Sequence, residues 1–136
     1  MKFERDNRAD ILEEGTFVKN DNNLFMNGQE IFKFSTHEIP LLVSNTLEKN
    51  NLAIKDIDLF VFHQANKYML EYLKRKMNIP TEKFYYYLEH VENTVSSTIP
   101  LALENAIREK KIKKGDKVLV AGFGVGLSMG ASVVNF

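Results

Sequence analysis

The sequence predicts an α/β fold in which helices cover both faces of a mixed, mostly parallel sheet. Helical spacing of apolar residues alternates with short runs of β-forming residues along the chain. One run, Ile57 to Phe62, is almost continuously apolar, which is typical of a strand buried on both faces. The runs 118–121 and 131–136 flank a short glycine-rich loop, which predicts an antiparallel pair. We expect about four to five strands. They would form one domain over 1–136, with an irregular lead-in over 1–28.

The first half of the chain predicts two helices around the buried strand. Apolar residues over 31–49 recur at helical spacing, and Pro40 inside this segment is expected to kink or split the helix. A second helix is predicted from Asn66 to about Met77, and Pro80 ends it.

The second half begins with an aromatic-rich segment, 83–88, which we expect to be extended. A helix follows the polar loop after it. Ser97 or Thr98 is the candidate cap of that helix, and Pro100 falls in its first turn.

The bulk composition excludes several classes of function. The 136 residues contain 18 Lys and Arg against 18 Asp and Glu, so no basic excess favours nucleic acid, and no basic amphipathic helix favours a membrane surface. The N-terminus is charged where a secretory signal would be apolar, which predicts a cytoplasmic protein. The absence of cysteine excludes disulfides and thiolate metal sites in this chain and fits a reducing compartment.

Two polar residues are candidates for chemistry. His63 ends the buried strand, at the sheet edge where ligands bind in open α/β folds. Asn93 lies in a polar loop before a helix. Together they could donate two hydrogen bonds to one negatively charged oxygen, which is a side-chain oxyanion hole. The alternatives remain a structural histidine and an asparagine that forms a turn.

Glycines at 122, 124 and 126 form a third candidate element, because they let a backbone bend and approach a ligand closely. A strand pattern follows them instead of a helix, which argues against a dinucleotide site and leaves a tight β-hairpin as the other interpretation. His37 is expected to be exposed or to pack on the first helix, and His90 to support the loop of Asn93. No cluster has metal-ligand spacing, so no metal is predicted.

Three motifs in order resemble the C-terminal half of ketoacyl-acyl carrier protein synthase III, a family of thiolase-fold condensing enzymes. They are HQAN at 63–66, NTVSSTIPLAL at 93–103 and GFGVGLSMGA at 122–131. The segment FMNGQEIFKF at 25–34 is similar to the start of that half, and the family's His-to-Asn spacing matches His63 and Asn93. The resemblance implies a thiolase-like fold and an acyltransferase of fatty acid or related biosynthesis.

The resemblance also implies a mechanism. A cysteine of the N-terminal half takes an acyl group from coenzyme A, and a malonyl group on acyl carrier protein loses carbon dioxide. His63 and Asn93 match the residues that stabilise the enolate oxygen, and the backbone N–H of Val125 matches the one that holds the acyl-cysteine oxyanion. This chain contains no cysteine, so its activity is expected to depend on a cysteine-bearing half. The thioesters are substrates, and no cofactor is implied.

Further residues match binding positions of the family. The positions around the pantetheine tunnel are Gly28, Phe32, Ala65, Asn66 and Phe123. The basic positions where an acidic carrier protein would dock are Lys33, Arg75 and Lys76, which Lys67 extends. A solvated charged face is the alternative for the four cations. The expected partners are acyl carrier protein, the N-terminal half and further copies of the chain, without nucleic acid or membrane.

Three residues depart from the family pattern. Val125 and Glu92 replace usual glycines, and Tyr68 stands where a family arginine contacts the carrier protein. These departures favour a specialised branch with another acceptor, such as an oxygen or nitrogen nucleophile. Two further hypotheses stay open: a non-catalytic module that docks a carrier protein or another thiolase-fold subunit, and an interaction domain whose motifs are relics.

Overall fold

The computed structural model describes residues 11–12, 18–19, 27–124 and 127–136. The strands are β1 (Ile11–Leu12), β2 (Val18–Lys19), β3 (Leu59–Phe62), β4 (Lys117–Gly124) and β5 (Ser128–Asn135). The helices are α1 (Gly28–Lys49), α2 (Lys67–Lys76), α3 (Leu88–Val91) and α4 (Thr98–Arg108). Within the described residues, no helix is long and apolar enough to cross a membrane.

The main sheet has the order β3-β4-β5. β3 pairs in parallel with β4, and β4 pairs antiparallel with β5 from Lys117↔Asn135 to Gly124↔Ser128. The predicted mixed sheet and its antiparallel closing pair are confirmed, and so is the hairpin interpretation of the glycine loop. Of the predicted lead-in, β1 and β2 form a separate antiparallel pair, and the remainder before residue 27 lies outside the described residues.

The described part of the main sheet has three strands, fewer than expected. The segment 83–88 does not form a full strand. It follows a short 3₁₀ turn and makes one parallel bridge, Phe60↔Phe84, with the amide of Tyr85 donating to the carbonyl of Phe60 at 3.0 Å. The amide of Tyr87 then donates to the side chain of Gln64 at 2.8 Å, and α3 begins at the next residue. Pairing stops because this side-chain acceptor replaces a strand partner.

Helices cover both faces of the sheet, as predicted. Along β3 the side chains alternate, so Phe60 and Phe62 pack with α1 and α2, while Leu59 and Val61 pack with α4. The four side chains are 0% to 3% exposed. Burial of each such side chain contributes roughly 1.5–3 kcal/mol, which explains the continuous apolar run of this strand.

α1 starts at Gly28, earlier than the predicted 31, because the side chain of Asn27 accepts the amide of Glu30 at 3.2 Å and caps the first turn. Pro40 lies inside α1, and the helix continues through it. A proline has no N–H, so the carbonyl of Thr36 loses its helical donor. The ammonium of Lys76, on α2, donates to that carbonyl at 2.8 Å.

The other helices begin near the predicted positions. Asn66 is the N-cap of α2, and its side chain accepts the amide of Met69 at 2.8 Å. Ser97 occupies the N-cap position of α4 but makes no side-chain capping bond. Pro100 falls in the first turn of α4, as predicted.

Candidate functional site

His63 directly follows β3, at the carboxyl end of the strand. Its amide donates to the carbonyl of Ala121 at 2.8 Å, which extends the parallel ladder by one bond and fixes the backbone. The ring is half-buried and lies edge-on to Phe123, with centroids 5.4 Å apart and planes at 88°. Its Nδ1 is 2.7 Å from the hydroxyl oxygen of Thr98. Burial lowers the pKa of His63 below its usual value, so the ring is neutral at neutral pH.

Asn93 lies in an exposed loop between α3 and α4. Its Oδ1 accepts the amide of Val95 at 2.9 Å, so the amide group of the side chain is oriented with Nδ2 as a donor. Among the described residues, neither this Nδ2 nor the Nε2 of His63 has a hydrogen-bond partner.

A chain of short contacts connects the loop of Asn93 to His63. The carbonyl of Val95 accepts the amide of Thr98 and is 3.0 Å from its hydroxyl oxygen, which in turn contacts Nδ1 of His63. The two candidate residues are therefore coupled through Val95 and Thr98, although 30 positions separate them in the sequence.

The backbone of this loop is strained at two residues. Glu92 has φ 54° and ψ −153°, a region that only glycine populates freely. Val95 has φ 57°, which is unfavourable for a β-branched residue. Each conformation costs on the order of 1–3 kcal/mol and persists only where neighbouring contacts hold it. The glycine expected at position 92 by family resemblance would fit the observed backbone without strain.

The predicted binding residues fall into two groups. Ala65 and Asn66 follow His63 directly, and Phe123 packs on its ring. Phe32, on α1, instead stacks with Tyr68 of α2 at 5.7 Å between ring centroids. The remaining predicted binding residue, Gly28, is exposed at the start of α1. Val125, the predicted backbone donor, lies outside the described residues.

All four predicted docking cations have a partner on the protein. Lys33 pairs with Glu30 at 2.8 Å and Lys67 with Glu89 at 2.6 Å, and these hydrogen bonds raise the pKa of both lysines. Lys76 holds the carbonyl of Thr36, as described above.

Arg75 donates from Nε to the carbonyl of Glu71 at 3.3 Å. It lines a shallow surface depression together with Tyr72 and Lys76. The guanidinium and the ammonium thus share one exposed patch on α2. Both interpretations of the cations, a docking surface and a solvated face, stay open.

The other histidines are peripheral to these contacts. His37 is exposed, with Nδ1 2.9 Å from the carboxylate of Glu38, and His90 is exposed beside the ring of Tyr87 at 5.5 Å. Within the ranges that the structure describes, no group of three His, Cys, Asp or Glu side chains could hold a metal ion.

Sequence analysis missed two residues of the site. Gln64 is fully buried; its Nε2 donates to the carbonyl of Phe62 at 2.7 Å, while its Oε1 accepts the amide of Tyr87. Thr98 was expected as a cap and instead contacts His63. The only available signal for Gln64 was its position next to His63, and nothing in the sequence linked Thr98 to a residue 35 positions away.

Comparison with known proteins places the chain in one family. The model of the "3-Oxoacyl-[acyl-carrier-protein (ACP)] synthase III C terminal" family matches residues 47–136. The beta-ketoacyl-[acyl-carrier-protein] synthase III of Porphyra umbilicalis is 43% identical over 111 residues, 82% of this chain and 34% of the relative. That of Clostridium perfringens (strain ATCC 13124) is 42% identical over 115 residues, 85% of this chain and 36% of the relative. The chain thus spans about a third of the length of these relatives.

Solved structures agree with the sequence match. A 2.1 Å crystal structure of a 3-oxoacyl-(acyl-carrier-protein) synthase III superposes with a TM-score of 0.85 and 44% identity over 88% of this chain and 35% of that one. The synthase III of Thermus thermophilus gives a TM-score of 0.82 and 37% identity over 94% of this chain and 39% of that one. Fold, motifs and relatives agree, and the chain belongs to the 3-oxoacyl-[acyl-carrier-protein] synthase III family, with the thiolase-like fold of its C-terminal domain.

Proposed function

We propose that this chain supplies His63 and Asn93 for the decarboxylative condensation of malonyl-acyl carrier protein with an acyl thioester. The observation that carries the proposal is the coupling of the two residues through Val95 and Thr98. Nε2 of His63 and Nδ2 of Asn93 have no hydrogen-bond partner among the described residues, so both remain available to a substrate oxygen.

In the proposed reaction, the carbon–carbon bond to the malonyl carboxylate breaks and carbon dioxide leaves. The electron pair passes into the thioester, and the resulting enolate oxygen accepts hydrogen bonds from His63 and Asn93. The enolate carbon then attacks an acyl group carried by a cysteine, and the thiolate leaves. Because this chain has no cysteine, an N-terminal thiolase half would contribute that residue, and the chain alone would be inactive. The amide of Val125 would hold the oxyanion of that second step.

The substrates of this proposal are thioesters of coenzyme A and of acyl carrier protein, without a further cofactor. Residues next to His63 would contact the pantetheine arm, and the basic patch on α2 would attract an acidic carrier protein. The patch is supported by Arg75 and Lys76, which share one surface depression. The proposed pantetheine contacts are Gly28, Phe32, Ala65, Asn66 and Phe123, and Lys33 and Lys67 would extend the docking surface.

A second candidate function is a non-catalytic module that docks a carrier protein or another thiolase-fold subunit. It is favoured by exposed apolar side chains on the loops and the edge strand. Val95 is 66% exposed, Leu127 54%, Met129 41% and Val134 37%. A catalytic domain would also use such residues against its N-terminal half or a second copy, so exposure alone fits both functions.

The test combines the full chain with the N-terminal part of the Porphyra umbilicalis relative, either mixed or fused. Release of carbon dioxide from malonyl-acyl carrier protein and formation of the condensed product are measured. We expect His63→Ala and Asn93→Ala each to lower the rate by about 100- to 1,000-fold, as loss of an oxyanion donor does. His37→Ala is the matched control and should leave the rate unchanged. Equal rates in all variants would overturn the catalytic proposal, and binding without turnover would support the docking module.

A further inference from the structure

Thr98 is a buried hydroxyl at the centre of the candidate site. It is the first residue of α4 and is 1% exposed. Its oxygen is 2.7 Å from Nδ1 of His63 and 3.0 Å from the carbonyl of Val95. A hydroxyl has one hydrogen, so it can donate to only one of these two acceptors at a time. The choice decides which nitrogen of His63 carries the proton.

The carbonyl of Val95 does not need the hydroxyl. It already accepts the backbone amide of Thr98, so it stays paired when the hydroxyl turns away. Nδ1 of His63 has only the hydroxyl as a partner among the described residues, and this contact is the shorter of the two. Donation of the hydroxyl hydrogen to Nδ1 therefore satisfies more hydrogen-bonding groups than donation to the carbonyl of Val95.

We propose that Thr98 is a positioning residue, whose hydroxyl donates to Nδ1 of His63 and holds the ring in the tautomer that carries its proton on Nε2. The consequence for catalysis rests on the function proposed above. A neutral ring with its proton on Nδ1 would present a lone pair to the enolate oxygen and repel it. With the proton on Nε2, the same neutral ring donates a hydrogen bond to that oxygen.

Electrostatics and packing support this role. Burial lowers the pKa of His63 and so favours the neutral ring, which carries only one proton. Nε2 can therefore donate a hydrogen bond only in the tautomer that has its proton on Nε2. The ring is also held from a second side by Phe123, which restricts rotation. Thr98 is fixed in turn by its buried position at the start of α4.

The first test is ¹⁵N NMR of the full chain at a pH above the usual histidine pKa of about 6.5. The shifts of the two ring nitrogens distinguish a protonated from an unprotonated nitrogen, and His63→Gln assigns the signals against those of His37 and His90. We expect the wild-type chain to show a single tautomer with the proton on Nε2. A proton on Nδ1 would overturn the proposal.

Two matched variants separate the hydroxyl from the shape of the side chain. Thr98→Val keeps the shape and removes the hydroxyl, while Thr98→Ser keeps the hydroxyl and removes a methyl group. Thr98→Val should move the two ring shifts towards each other, as expected for a mixture of tautomers, and Thr98→Ser should preserve the wild-type shifts. Backbone amide spectra verify the fold of both. Unchanged ring shifts in folded Thr98→Val would refute the assigned role.

The second test is kinetic and uses the combined enzyme described above. Thr98→Val should lower kcat for malonyl decarboxylation about ten-fold, the effect of one lost hydrogen bond, with KM unchanged. Thr98→Ser should restore most of the rate. If the ring shifts behave as expected but His63→Ala leaves activity intact, the proposed function fails and the positioning role stands. If His63→Ala abolishes activity while Thr98→Val changes neither shifts nor rate, only the inference on Thr98 fails.

Discussion

Removal of the ammonium of Lys76 should destabilise the protein, because the carbonyl of Thr36 would then lose its hydrogen-bond donor. In α1 the N–H of residue 40 would normally bond the carbonyl of Thr36. Pro40 has no N–H, and Lys76 donates to that carbonyl from α2 at 2.8 Å. This one hydrogen bond replaces the donor that is missing in α1 and also connects α1 with α2.

The magnitude follows from the kind of bond that is lost. A hydrogen bond from a charged donor contributes about 1.5–3 kcal/mol. Lys76 is exposed on the protein surface, so water screens and partly replaces the interaction, and the expected cost is about 1–2 kcal/mol. The variant Lys76→Met keeps an unbranched apolar side chain and removes the ammonium. The ammonium also lies 5.9 Å from the centroid of the Tyr72 ring, and this contact is lost whether residue 40 is proline or alanine.

A double-mutant cycle tests the cause. Pro40→Ala restores the N–H, so the carbonyl of Thr36 regains its helical donor and Lys76→Met should then cost about 1 kcal/mol less than it does with proline present. The free energy of unfolding is measured by urea titration of the full chain. Lys33→Met is the control, because solvent screens its exposed pair with Glu30 and the loss of that pair should leave the urea midpoint almost unchanged. An equal cost of Lys76→Met in both backgrounds would contradict this account.

Three further predictions concern the site and its supports. Glu92→Gly should raise the free energy of unfolding by about 1 kcal/mol, since relief of strain exceeds the entropy cost of glycine; a lower urea midpoint would contradict it. Gln64→Met should lower the free energy of unfolding by about 2–3 kcal/mol, because the amide of Tyr87 and the carbonyl of Phe62 lose their partner. An unchanged urea midpoint would contradict a stabilising role of these two hydrogen bonds. Because the pKa of His63 is lowered in the folded protein, the unfolded chain binds a proton first as the pH falls below 6.5. The free energy of unfolding should therefore decrease from that pH downwards. The slope of this free energy against pH should be smaller in His63→Gln than in the wild type.

The sequence predicted the layered fold because local patterns determine most of it. The apolar run of β3 indicated a strand buried on both faces, and the structure places Phe60 and Leu59 in two different cores. The glycine loop indicated the closing hairpin, which is present. The segment 83–88 was expected to be extended, and it is extended at Phe84, where it makes one parallel bridge with Phe60. It does not continue as a strand, because the amide of Tyr87 donates to the side chain of Gln64, 23 residues away. No local pattern encodes such a contact.

The residues of the candidate site were likewise predicted where a local motif identifies them, and their long-range contacts were not. His63 and Asn93 came from motifs, which are local. The support of His63 by Thr98 spans 35 residues and that of Thr36 by Lys76 spans 40, so both depend on how helices pack on the sheet. The roles assigned by resemblance to Gly28, Phe32 and the cations concern bound partners and stay predictions.

The strained loop links stability to the proposed chemistry. Two hydrogen bonds hold the backbone of Val95. The side chain of Asn93 accepts a hydrogen bond from its amide, and the amide of Thr98 donates to its carbonyl. The bonds that maintain the unfavourable φ of Val95 therefore also orient Nδ2 of Asn93 and place the hydroxyl that contacts His63. A relaxed backbone at Val95 would release both candidate donors together. Strain at Val95 is thus a cost of fixing two hydrogen-bond donors before substrate arrives.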